Sequence, residues 1–180
     1  MITNEKVIEQ TTNWIKSVVI DCNFCPFAAK AMFNKSIRYV VKSDISLEKS
    51  VEILKSELEH LENDEKTETS FIIFSTNFTD FQSYLSLVKK AERLISKEGY
   101  DGIYQLASFH PDYCFSGSDM DDPANYTNRS IYPMLHILRE ESITKALRLF
   151  PNPEQIPQHN IDFARQKGLQ YMQLLRATSL

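Results

Sequence analysis

The sequence predicts a single α/β domain spanning residues 1–180. Its core is a small, mainly parallel sheet of βαβαβ order, with a helix before it and a helical segment after it. Three observations predict this. Short apolar runs of strand length alternate with amphipathic stretches of helical period. Helices that separate successive strands imply parallel neighbours joined by crossovers. The composition is that of an ordinary globular chain, with 180 residues, 42% hydrophobic and 24% charged. A ferredoxin-like α+β fold is the alternative. It needs a β-hairpin, and no turn signal for one is found.

Taken in order, Val7, Thr11, Trp14, Ile15, Val18 and Val19 recur at helical spacing, so a helix is expected over about 3–20. Asn23 suits an N-cap, and Phe24 to Phe33 read as a short helix with Pro26 in its first turn. Ile37, Tyr39 and Val41 alternate with Arg38, Val40 and Lys42, as in a strand with one apolar face. Ser46 caps a helical stripe through Leu47, Val51, Leu54, Leu58 and Leu61. Phe71 to Phe74 form a continuous apolar run, expected to be a buried strand. Thr79-Asp-Phe-Gln82 has capping-box form and leads a helix through Phe81, Leu85, Val88 and Ile95, with Gly99 as its stop. Gly102 to Phe109 make the third strand. A polar loop at 111–131 follows, then a helix opened by Pro133, prolines at 151, 153 and 157, and a last helix over 158–175 with a break at Gly168.

The net charge of −4 gives no bulk attraction to nucleic acid or anionic lipid. No apolar run is long enough to cross a bilayer, and the N-terminus lacks the regions of a signal peptide. Three cysteines argue against a disulfide scaffold and place the chain in the reducing cytoplasm. No nucleic acid, membrane, metal or cofactor is expected. Ser116-Gly-Ser118 matches neither a nucleophile elbow nor a P-loop, and no dinucleotide fingerprint occurs. The acidic run Asp119-Met-Asp-Asp122 fails the EF-hand spacing and reads as a solvated loop, with a hard-cation site as the alternative.

Chemistry concentrates in three places. Cys25, in the first turn of its expected helix, would feel unpaired N–H groups that stabilise thiolate; the competing reading is a small buried hydrophobe. His110 ends the third strand, where ligands bind in open parallel α/β sheets, and Pro111 holds it extended. It reads as a general base, a metal ligand, an anion donor, or a ring that caps nearby backbone. On the helix expected after Pro133, His136, Arg139 and Glu140 share one face, with Arg129 and Asn128 just before it. Two arginines, an imidazole and helix N–H groups make a cradle for a carboxylate or phosphate. The competing reading is a polar network that orders the loop.

The stretches Asn23-x-Cys25-Pro26-Phe27-Ala28, Ala107-Ser-Phe-His-Pro-Asp-Tyr-x-Phe-Ser-Gly117 and Asp121-Asp-Pro-Ala-Asn-Tyr-Thr-Asn-Arg-Ser-x-Tyr-Pro-Met-Leu-His-Ile-Leu-Arg-Glu140 carry a resemblance. With Gln155 to Ile161, they resemble the bacterial family catalogued as domain of unknown function 1415, over nearly the whole chain. That family has no assigned activity. Its motif implies one cysteine, at Cys25, with an aliphatic residue at the place of Cys22 and a glutamine at that of Cys114. Cys25, His110, Asn128, Arg129, His136 and Arg139 fall on its motif positions. The function expected is an enzyme acting on a small anionic substrate. Cys25 would be the nucleophile or a thiol ligand and His110 the general base; Arg129 and Arg139 would clamp the anion, and Asn128 or His136 would polarise or orient it. A non-catalytic binding module for an anionic metabolite or peptide is the alternative.

Overall fold

The computed structural model describes residues 2–148 and 151–180. Helix α1 covers Asn4–Trp14 and runs on without interruption as a wider π turn, Ile15–Ile20, closed by Asp21 N–H donating to Lys16 O. Then come α2 (Ala28–Phe33), β1 (Ile37–Lys42), α3 (Leu47–Asn63), β2 (Thr69–Phe74), α4 (Phe81–Lys97) and β3 (Tyr104–Phe109). A 3₁₀ turn at Pro123–Thr127 precedes β4 (Met134–Arg139) and α5 (Glu140–Leu147). Helices α6 (Ile156–Lys167) and α7 (Leu169–Ala177) complete the described chain, parted at Gly168. No helix among the described residues is long and apolar enough to cross a membrane.

The four strands form one sheet in the order β1-β2-β4-β3. The α/β class holds, but the sheet is not mainly parallel: β1 pairs parallel with β2, while β4 pairs antiparallel with both β2 and β3. β2, α4 and β3 make a split βαβ unit, into which β4 inserts. The expected parallel direction of β1, β2 and β3 survives; what changes is that β2 and β3 are not neighbours.

The cause is residues 134–139, expected as a helix and found as a strand. Met-Leu-His-Ile-Leu is buried on both faces, and an apolar run that short carries no period that tells strand from helix. Pro133 fits, because it stands just before the strand and its carbonyl accepts from Phe74 N–H. β3 and β4 are thus the two arms of a hairpin whose connection, residues 110–133, is too long to look like a turn.

Helix starts follow their caps closely. Ser46 Oγ accepts from Lys49 N–H at 3.1 Å. Asp80, not Thr79, caps α4, accepting from Ser83 N–H at 2.7 Å. Gly99, at φ +80°, allows Tyr100 N–H to reach back to Ile95 O. The helix expected from Asn23 is the exception. Asn23 takes a left-handed φ of 56°, tolerable for asparagine, and α2 starts only at Ala28.

The sheet separates two apolar layers. On one face Ile72, Phe74, Leu135 and Ile137 pack against α3 and α4. On the other, Phe71, Ile73 and Met134 meet α1, α6 and α7, with Trp14 fully buried between them. Ile37, Tyr39 and Val41 face this second layer, as their alternation predicts.

Candidate functional site

At the end of β3 the chain enters the 110–133 connection, which folds back on the sheet. His110 N–H donates to Asn128 O at 3.2 Å, and Asn128 Nδ2 donates to Ser108 O at 3.1 Å. These bonds hold the end of the connection against the end of β3. Opposite stands the start of α6, tied to the Cys25 loop by Asn160 Nδ2 donating to Phe24 O at 2.8 Å. Between them lies a cleft of about 360 Å³, within the size range of small-molecule sites.

Four separated stretches meet there. Phe24 and Cys25 come from the first motif, Phe109 and Phe115 from the second, and Thr127 and Asn128 from the third. Ile156, Pro157, Asn160 and Ile161 come from the start of α6; only Val19 lies outside these stretches. The wall is mostly apolar, with two side-chain amides. Asn160 Oδ1 is buried and has no hydrogen-bond partner among the described residues. Its identity is secure, because the other amide atom must be the nitrogen that donates to Phe24 O.

Cys25 lies in the loop before α2, not in a helical first turn as expected. The N–H groups of Phe27 and Ala28 nevertheless face its sulfur and favour thiolate. Burial outweighs them and pushes the thiol above its ordinary value. All three cysteines are free. In a Cys22→Ser/Cys114→Ser background, alkylation of Cys25 is therefore expected to be slow at pH 7. Its rate should climb about tenfold per pH unit to at least pH 9. A plateau reached below pH 8 in an iodoacetamide time course would contradict this.

His110 is fully buried on the other side of the sheet, against Phe81 and Tyr84. Its Nε2 bonds Phe78 O at 2.9 Å, and its Nδ1 accepts from Asp112 N–H at 2.9 Å. The ring is thus the neutral Nε2–H tautomer, with both nitrogens engaged by backbone, and desolvation lowers its pKa. Cys25 packs in the opposite layer, so the sheet edge parts the two residues expected to pair.

The two arginines do not converge. Arg129 is buried over the Tyr126 ring and donates to the carbonyls of Tyr113 (2.9 Å) and Met120 (2.8 Å), fastening the 110–133 connection from inside. Its own carbonyl accepts from Trp14 Nε1 at 3.0 Å. Arg139 lies at the far end of β4, about 17 Å of strand beyond Met134. There it donates to the carbonyls of Leu61, Asp64 and Thr67 and to Tyr104 Oη.

A helix would place His136 and Arg139 on one face; a strand places residues three apart on opposite faces. His136 stacks on Phe71, ring centroids 3.8 Å apart, in the layer that holds Cys25. Thr69 Oγ1 gives its single proton to Ile137 O at 2.6 Å, so at 2.6 Å from His136 it must accept from Nε2–H. Burial pushes the His136 pKa down to about 3.

The acidic loop is not a free cluster. Asp122 accepts from Ala124 N–H, Ser118 Oγ and the Arg165 guanidinium, which hold its carboxyl well below the usual range. Among the described residues no group of three or more His, Cys, Asp or Glu side chains could hold a metal ion.

Of the residues singled out in the sequence, Cys25 and Asn128 line the cleft. The residue that sequence reasoning missed is Asn160. Its signal was the Gln155–Ile161 stretch, which carries the family resemblance but shows no titratable group beyond His159.

A comparison with curated proteins returns no match, and a comparison with solved structures returns none either. The family described as protein of unknown function (DUF1415) matches residues 6–174, an interval that takes in every lining residue of the cleft. The chain belongs to that family, DUF1415.

Proposed function

We propose that this protein binds a small, largely apolar molecule with a neutral polar head in the cleft between the Cys25 loop, the 110–133 connection and α6. The observation that carries the proposal is the mostly apolar cleft of about 360 Å³, beside which Asn160 keeps its Oδ1 buried and without a donor among the described residues. Leaving such an atom unpaired costs about 1–3 kcal/mol, which a ligand N–H or O–H would recover once the Asn160 side chain turns enough to open Oδ1 to the cleft. Asn128 Nδ2, with one proton on Ser108 O, has a second to offer an acceptor.

A neutral binder fits better than the anionic substrate expected from sequence, because Arg129 and Arg139 donate to backbone carbonyls away from the cleft. Binding also fits better than nucleophilic catalysis. The His110 ring has no free lone pair, and burial favours the protonated Cys25 thiol.

The test is an NMR titration of small amides, alcohols and carboxylates against the ¹⁵N-labelled protein. Neutral donors are expected to shift Cys25, Asn128 and Asn160. Asn160→Leu, checked for an otherwise native spectrum, should weaken donor-bearing ligands about tenfold or more. Shifts centred elsewhere, unchanged affinity in that variant, or carboxylates bound selectively at Arg129 would refute the reading.

A further inference from the structure

Behind the cleft lies a second, smaller cavity of about 50 Å³. Val19, Cys25 and Phe109 line both spaces, so these side chains stand between the two. Thr69 and His136 also stand on the inner wall, yet no polar atom of the lining reaches its surface. Their mutual hydrogen bond, together with the Thr69 bond to Ile137 O, explains this: the polar atoms are turned onto each other and the strand. Ile15 and Val19 reach the wall from the π turn, a helix irregularity found often at functional sites.

An apolar void inside a core is unfavourable, since its lining forfeits dispersion contacts. Water does not repair it, because an apolar cavity offers water no partners and stays dry. An alkyl group would repair it. At roughly 10–15 Å³ per water-sized group, the cavity has room for about three or four non-hydrogen atoms.

We infer that the inner cavity receives the alkyl tail of the ligand held in the cleft, which makes that ligand a small molecule with a neutral polar head and an unbranched tail of about three or four carbons. Cys25 is then one side of the doorway, and its size helps set which tails pass. This rests on the binding reading of the outer cleft.

The probes are primary n-alkyl amides from acetamide to octanamide, titrated into the full chain by NMR. Affinity is expected to rise about fourfold per methylene up to a tail of three or four carbons and then stop rising. Terminal-methyl NOEs should reach Ile15 and Ile37. Ala31→Leu, which fills the inner cavity from α2, should bind acetamide as the wild type does and flatten the series. A slope that persists in the folded variant overturns the inference. Should that variant not fold, Cys25→Ala widens the doorway and should move the optimum to a longer tail; an unmoved optimum overturns it. Amides that bind the wild type equally at every length, or touch only Phe115 and Ile161, overturn the tail assignment and leave the outer reading standing. Failure of every amide to bind overturns both.

Discussion

Acidification from pH 6.5 to 5 is expected to cost about 2 kcal/mol of stability through His136 alone, by linkage at 1.36 kcal/mol per pKa unit. The histidine is 8% exposed, stacked on Phe71, and desolvation pushes its pKa down to about 3. In the unfolded chain it titrates near 6.5. Below that pH the unfolded state binds a proton that the folded state refuses. The stability is therefore fully present above pH 6.5 and is lost as pH falls toward about 3. His110, lowered by the same cause, acts in the same direction.

Urea unfolding at pH 7, 6 and 5 reads the effect before most carboxylates titrate. His136→Asn should be less stable at pH 7 but should lose much of the slope between pH 6.5 and 5. An unchanged slope would show that His136 is protonated, or accessible, in the fold. The Cys25 thiol contributes at the other end. Raised by burial, its folded-state pKa lies above the unfolded value of ~8.5, so its contribution is complete below that pH and fades as pH rises through the folded value.

Arg129→Met is expected to destabilise the protein by about 1–3 kcal/mol, because it takes the charged donor from two carbonyls, of which only one keeps a second partner, the Asn125 amide. The carbonyls are Tyr113 O and Met120 O, which the guanidinium fork holds from inside the 110–133 connection. The connection should loosen before the sheet does, so limited proteolysis should cut it first in the variant. Arg129→Lys keeps the charge but presents no planar fork, and should recover only part of the loss. The result also separates two roles. If Arg129 held a ligand rather than the loop, Arg129→Met would keep its melting temperature and lose binding alone.

The same residues show where local reading suffices. The helices α3 and α4, their caps within a residue, and the one-faced strand β1 were legible because each is set by local chemistry. A serine or aspartate oxygen accepts from N–H three residues on, and apolar side chains recur at one period. Strand β4 was not legible, because a five-residue apolar run satisfies helix and strand alike, and only its two partner strands decide between them. That one element reversed the sheet's character and parted His136 from Arg139.

The candidate site divides the same way. Residues 23–28, 107–117, 121–140 and 155–161 stood out by composition and family resemblance, and Cys25 and Asn128 with them. Which chemistry those residues offer was a matter of long-range contact. His110 is bonded by Phe78, thirty-two residues away; Arg139 by Leu61; Asn160 by Phe24. By itself the sequence determined the α/β class, the periodic helices and their ends, and the stretches from which a site is built. Only the tertiary structure decided the strand order, the opposite faces of Cys25 and His110, and the cleft. The physical reason is range. Caps and periods act within a few residues, whereas burial, orphaned acceptors and shared cavities exist only once distant segments meet.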